Sequence, residues 1–153
     1  MTCFICERID MIKTFTNPYY VYELDTGYVV IGDYQRFYGY SLFLHKEHIT
    51  ELHFISEQAR LKHLEELSLV YEAVYNAFKP EKMNCELLGN GEGGAHIHWH
   101  LFPRRIGDTP QKGPVWRLSD EELYDNAKRP SETKLEEMKN KLKYEIECLL
   151  QLK

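Results

Sequence analysis

Three histidines alternate with large apolar residues in the run Gly93-Gly94-Ala95-His96-Ile97-His98-Trp99-His100-Leu101-Phe102. On a β-strand, successive side chains point to opposite faces. His96, His98 and His100 then share one face, and Ile97, Trp99 and Leu101 share the other. The apolar face can enter a core, so the imidazole face must line something polar. Two chemistries suit such a row. A neutral imidazole nitrogen can attack phosphorus and form a covalent intermediate, while its neighbours orient it and donate to developing charge. Alternatively, the three imidazoles can share a metal ion, as in a metalloenzyme. Gly91, Gly93 and Gly94, just upstream, let the backbone approach an anion closely.

A second constellation lies at the N-terminus. Cys3 and Cys6, spaced Cys-x-x-Cys, form one half of a tetrahedral metal site. Two small buried thiols, or a redox pair, are the other readings of that spacing. Cys85 and Cys148 read as core residues. His45 and His53 are secondary candidates for metal ligation.

The bulk properties narrow the setting. A chain of 153 residues suits a single domain, 1–153, with 43% apolar and 28% charged residues. The formal net charge of −5 argues against a broad nucleic-acid-binding surface, which is usually basic. One pocket for a small phosphorylated ligand needs only a few local donors. No apolar run is long enough to span a membrane. Met1 to Asp10 carries no basic region followed by an apolar stretch, so a cytoplasmic location is expected. There the cysteines are expected to be thiols or metal ligands more than disulfides.

The elements that must position these residues are legible in outline. Tyr19–Leu24 and Tyr28–Ile31, rich in β-branched and aromatic residues, flank Asp25-Thr26-Gly27 and read as a hairpin. Tyr40–Leu44 is a third strand, Cys85–Leu88 a fourth and His96–Phe102 a fifth, stopped by Pro103. Ser56 is placed to cap a helix in which Leu61, Leu64, Leu67, Val70, Val74 and Phe78 recur at helical spacing, with Pro80 beyond its end. Gly107 to Pro114 is loop-like, and Trp116 is expected to pack in the core, with stacking on a base or packing at a dimer interface as the alternatives. A second helix starts near Ser131, with Leu135, Met138, Leu142, Ile146 and Leu149 in one stripe. It either packs on the sheet or extends a subunit interface.

The triad segment resembles the signature of the histidine triad (HIT) proteins. The resemblance extends to Leu88-Gly89-Asn90 before it, to Pro103-Arg104 after it, and to Gly39-Tyr40-Ser41-Leu42-Phe43-Leu44-His45-Lys46-Glu47-His48 further upstream. It covers a core of about residues 3–105, leaving 106–153 as a C-terminal extension. The resemblance implies an α+β fold, a mainly antiparallel sheet of about five strands with a long packed helix. It also implies a homodimer. The implied activity is nucleotide hydrolysis or nucleotidyl transfer at the α-phosphate, through a covalent nucleotidyl-histidine on His98. His100 would contact the phosphate oxygens, and His96 would support them or hold a metal. Dinucleoside polyphosphates and nucleoside phosphoramidates are the implied substrates, with no organic cofactor. Asn90 and Asp33 are the implied substrate-binding residues, Asp33 through the ribose hydroxyls. Gly94 of the glycine-rich loop joins them as an anion contact, and Arg104 with Arg105 is placed either to attract a polyphosphate tail or to be solvent-exposed charge. Tyr40 takes the place of a usual histidine, with Gln35 and Arg36 nearby. Cys3, Cys6, His48 and His96 would hold a structural zinc. A non-catalytic nucleotide-binding module with the same pocket is the rival reading.

Overall fold

The computed structural model describes residues 3–90 and 93–152. Five strands form one antiparallel sheet: β1 (Tyr20–Glu23), β2 (Gly27–Ile31), β3 (Ser41–His45), β4 (Lys82–Leu87) and β5 (His98–Arg104). Their order is β1-β2-β3-β5-β4, which places the triad strand between β3 and β4. The helices are α1 (Phe4–Lys13), α2 (Glu57–Phe78), α3 (Asp120–Leu123) and α4 (Glu132–Gln151). The α+β architecture is as expected.

The pleat decides which residues face which layer. Phe43 pairs with Trp99, while Leu42 pairs with His100 and Leu44 with His98. Val29, Ile31, Phe43 and Leu101 face one way. They form the main core with Val70, Val74 and Phe78 of α2 and with Leu135, Met138, Leu142 and Ile146 of α4. The stripe read on the C-terminal helix is thus buried, and this helix packs on the sheet beside α2. Ser131 accepts a hydrogen bond from the Lys134 amide and so caps it.

The opposite face is covered in two places. At one end, Ile5, Ile9 and Ile12 of α1 pack on Tyr28, Val30 and Leu44. Their i, i+4, i+7 spacing is an amphipathic helical stripe. Burial of each such side chain contributes about 1.5–3 kcal/mol. At the other end, Val115, Leu118 and Leu123, from the segment joining β5 to α4, pack on Phe37 and Phe102. Between these two covers the sheet is open.

Several local expectations are corrected. Helix α1, for which the sequence carries no stated expectation, follows Cys3. The triad strand starts at His98, so His96 precedes it, and it continues through Pro103 to Arg104. Pro103 is tolerated because β3 pairing ends at Leu101, leaving one side of β5 without a sheet partner there. On α2, Leu61 is 62% exposed while His63 and Glu66 are buried. There His63 and Glu66 take the inward positions, hydrogen-bonded to Thr26 and, for His63, to the Trp99 indole. Cys85 is exposed and Cys148 half-buried. No helix among the described residues is long and apolar enough to cross a membrane.

Candidate functional site

The uncovered part of the second face is a cleft of about 230 Å³. Its floor is the sheet, through Val30, Leu42, Leu44, His98 and His100. Phe4, Ile5 and Arg8 of α1 form one wall, and Trp116, Leu123 and Tyr124 form the other. Most of the lining is apolar; the polar side chains among it include the two histidines, Tyr40, Arg8 and Asp33.

His98 is buried. Its Nδ1 lies 2.6 Å from the His96 carbonyl oxygen. A carbonyl only accepts, so Nδ1 carries the proton and donates, and Nε2 keeps its lone pair. Burial lowers the His98 pKa, partly opposed by that same carbonyl, so the ring is held neutral. His100 lies beside it, with ring centroids 4.8 Å apart. Its Nδ1 is 2.7 Å from the Tyr40 hydroxyl. Burial, and then the neighbouring His98, push His100 down to about 3. Trp116 meets the His100 ring edge-on at 5.6 Å, and its indole N–H donates to Glu86. Trp116 is 38% exposed and is a wall of the cleft, which corrects its core placement. Cover by Val115, Leu118 and Leu123 keeps its segment down while leaving the indole at the rim.

Asp33 lines the cleft as expected, but its carboxylate is already engaged. Arg8 Nη1 donates to Oδ1 at 2.7 Å and Nη2 donates to Oδ2 at 2.5 Å, while Arg129 stands 3.5 Å from Oδ2. Burial works against the Arg8 charge, yet Asp33 raises the Arg8 pKa. A ligand hydroxyl at Asp33 would therefore share it with two arginines. Arg8 carried no sequence signal beyond its place on the α1 stripe.

The other implied contacts lie elsewhere. Arg104 does not line the cleft and is saturated. It donates from Nε and Nη2 to Asp108, both at 2.8 Å, and from Nη1 to Asn84 and the Gly113 carbonyl. Asn90 is exposed and Gly94 is buried, and neither lines the cleft. Gly93 has φ +74° and its carbonyl accepts from the Phe4 amide at 3.2 Å, so this part of the loop anchors α1. Gly91 lies outside the described residues.

His96 turns the other way. Its Nε2 donates to the His45 carbonyl oxygen at 2.7 Å, leaving Nδ1 as a lone pair. That Nδ1 is 3.4 Å from Cys6 Sγ and 3.8 Å from Cys3 Sγ, and His48 Nδ1 is 3.3 Å from Cys6 Sγ. The four ligand atoms lie within 4.8 Å of one another. Tetrahedral zinc with bonds of about 2.0–2.3 Å needs ligand atoms roughly 3.3–3.8 Å apart, so this donor set fits. His45 and His53 are not part of the cluster among the described residues; His45 contributes its carbonyl instead.

Across the sheet, sequence reasoning missed a polar network. His63 Nδ1 is 2.8 Å from Thr26 Oγ1, which donates to Glu66 at 2.6 Å, and the Trp99 indole donates to His63 Nε2 at 3.0 Å. Glu66 also accepts from the Asp25 and Thr26 amides at 3.0 and 2.9 Å. This network ties α2 to the β1–β2 turn and to the back of the triad strand.

Residues 17–107 match the HIT domain family. A histidine triad protein from Bradyrhizobium japonicum has a TM-score of 0.71 at 21% identity, over 83% of this chain and 89% of that one. A hypothetical histidine triad nucleotide-binding protein from Sulfolobus tokodaii has 0.69 at 20%, over 94% and 93%. A zinc-bound histidine triad family protein from Mycobacterium smegmatis has 0.59 at 18%, over 100% and 99%. No curated protein matches. At these identities the solved structures show a common fold. With the family match over more than half its length, and with two of the three triad histidines lining the cleft, the chain belongs to the HIT family.

Proposed function

We propose that the chain is a nucleotide hydrolase or nucleotidyl transferase acting at the α-phosphate, with His98 as the nucleophile. The observation that carries this is the His98 tautomer. Its Nδ1–H is held by the His96 carbonyl at 2.6 Å, which leaves the Nε2 lone pair for attack on phosphorus. Attack forms an N–P bond and expels the group beyond the α-phosphate; water then releases the nucleoside monophosphate. His100 would donate to the phosphate oxygens as charge builds there. The apolar walls, with Phe37, Leu123 and Tyr124, suit a base, and Asp33 with Arg8 stands where a sugar hydroxyl could bind.

Cys3, Cys6, His48 and His96 are proposed to hold zinc, supported by their spacing and by the carbonyl that orients His96. With all four positions filled by protein, such an ion is structural. It would fasten α1, and with it Phe4, Ile5 and Arg8, beside the triad. This division leaves His98 and His100 outside the metal set. A homodimer is proposed as well; β4 is an outermost strand and Leu61, Leu87 and Leu88 are exposed.

The test is release of nucleoside monophosphate from a dinucleoside polyphosphate and from a nucleoside phosphoramidate. Turnover lost in His98→Ala, with nucleotide binding retained, supports the enzyme. Intact binding without turnover of either compound supports the non-catalytic module. One zinc per chain that disappears in Cys3→Ala and persists in His98→Ala excludes a metalloenzyme built on all three triad histidines.

A further inference from the structure

The two cleft histidines are fixed by partners of opposite kind. His98 Nδ1 faces a carbonyl oxygen, which can only accept. His100 Nδ1 faces the Tyr40 hydroxyl at 2.7 Å, and among the described residues this is the one hydrogen-bond partner of that hydroxyl. Among the described residues that hydroxyl has no other acceptor for its proton, so donation to Nδ1 is the arrangement that satisfies it within the protein. His100 Nδ1 is therefore an acceptor, and the ring proton sits on Nε2. The result is a lone pair on His98 Nε2 next to a donor on His100 Nε2.

The Tyr40 ring is held to this role by packing. It lies parallel to Phe102 at 4.2 Å and 4°, and parallel to His100 at 6.0 Å and 3°. Gly39 just before it has φ +94°, and a Cβ there would meet the Phe78 ring at 2.5 Å, so the turn that aims Tyr40 requires glycine.

We propose that Tyr40 is a positioning residue that locks the His100 proton on Nε2, so that the cleft serves leaving groups that depart as stable phosphate anions and disfavours amines. The inference rests on the reading of His98 as the nucleophile. As the His98 Nε2–P bond forms, the bond from phosphorus to the bridging atom breaks, and its electron pair leaves on that atom. A phosphate oxygen carries the pair as an anion that is stable near neutral pH, its second pKa being about 6. An amine nitrogen needs a proton in the same step. His100 could give up its Nε2 proton only if the Tyr40 proton moved to Nδ1, leaving a phenolate. Burial raises the Tyr40 pKa and so opposes that move. His100 is thus a hydrogen-bond donor to phosphate oxygen rather than a general acid.

Nitrogen-15 spectra of the histidine rings test the lock without any substrate. The wild-type protein should show His98 protonated at Nδ1 and His100 at Nε2. Tyr40→Phe keeps the ring stack and should mix the His100 tautomers while leaving His98 unchanged. Kinetically, Tyr40→Phe should lower kcat on a dinucleoside polyphosphate by roughly 10- to 100-fold with little change in KM. The same variant should lose roughly tenfold less on a nucleoside phosphoramidate. A wild-type His100 protonated at Nδ1 overturns the lock, and an equal loss on both substrates overturns the leaving-group discrimination. Failure of the nucleophile reading looks different: the wild-type protein turns over neither compound. That result overturns the leaving-group half, and the ring spectra still decide the tautomer half.

Discussion

Buried imidazoles occupy both faces of the sheet, and they differ in how their nitrogens are used. Behind the triad strand, His63 engages both: Nδ1 with Thr26 and Nε2 with the Trp99 indole. In the cleft, His98 and His100 each engage only Nδ1 among the described residues, with the His96 carbonyl and the Tyr40 hydroxyl. Burial lowers the pKa in all three cases, so low basicity alone does not mark a reactive residue. The unengaged Nε2 directed at a cleft does. His63 holds elements together; His98 and His100 are available to a ligand.

Substitutions separate the two kinds of histidine. The largest effect is expected at His98. His98→Ala should reduce turnover by at least about 10³-fold while the thermal midpoint changes little, as read by steady-state kinetics beside calorimetry. Second, Cys3→Ser should remove the proposed zinc, measured by metal analysis, and lower the thermal midpoint by roughly 10 °C. Third, His63→Ala should reverse the His98 pattern. It strands the Trp99 indole and Thr26 and is expected to destabilise the fold by about 3 kcal/mol, measured by denaturant unfolding, with kcat nearly unchanged.

The most gradual effect is a pH dependence, which is only partly developed at mildly acidic pH. Burial, and less so His45, push His63 down to about 4 from an ordinary value of 6.5. The unfolded chain therefore binds this proton more readily than the folded one between those values. The sign follows: stability is fully present above about pH 6.5 and is lost as pH falls toward 4, by up to about 3 kcal/mol from this residue. Unfolding curves at stepped pH should show that acid limb, and His63→Phe should flatten it.

The fold was legible where periodicity was regular. The hairpin, β3 and the stripe Leu135, Met138, Leu142 and Ile146 were read close to their observed positions. So was the alternation that sends His98 and His100 to one face and Trp99 to the other. The set Cys3, Cys6, His48 and His96 came from the family resemblance, and the structure brings the four together. What escaped depended on tertiary partners. Helix α1 has only ten residues, and its Ile5, Ile9 and Ile12 stripe was overshadowed by the cysteine spacing. On α2, apolar spacing favoured Leu61 and Leu64, but Thr26 and Trp99 draw His63 inward, a contact 37 and 36 residues away in the chain. Arg104 looked available for polyphosphate until Asp108 and Asn84 claimed its donors. Tyr40 was visible as a departure from the family pattern, yet its hold on His100 needed the fold.

The most direct test of the central claim is rapid-quench mass spectrometry of the wild-type protein mixed with a dinucleoside polyphosphate. A transient nucleoside monophosphate mass is expected on the peptide carrying His98, absent in His98→Ala and decaying as product appears. Turnover with no adduct, or with the adduct on another residue, would contradict it.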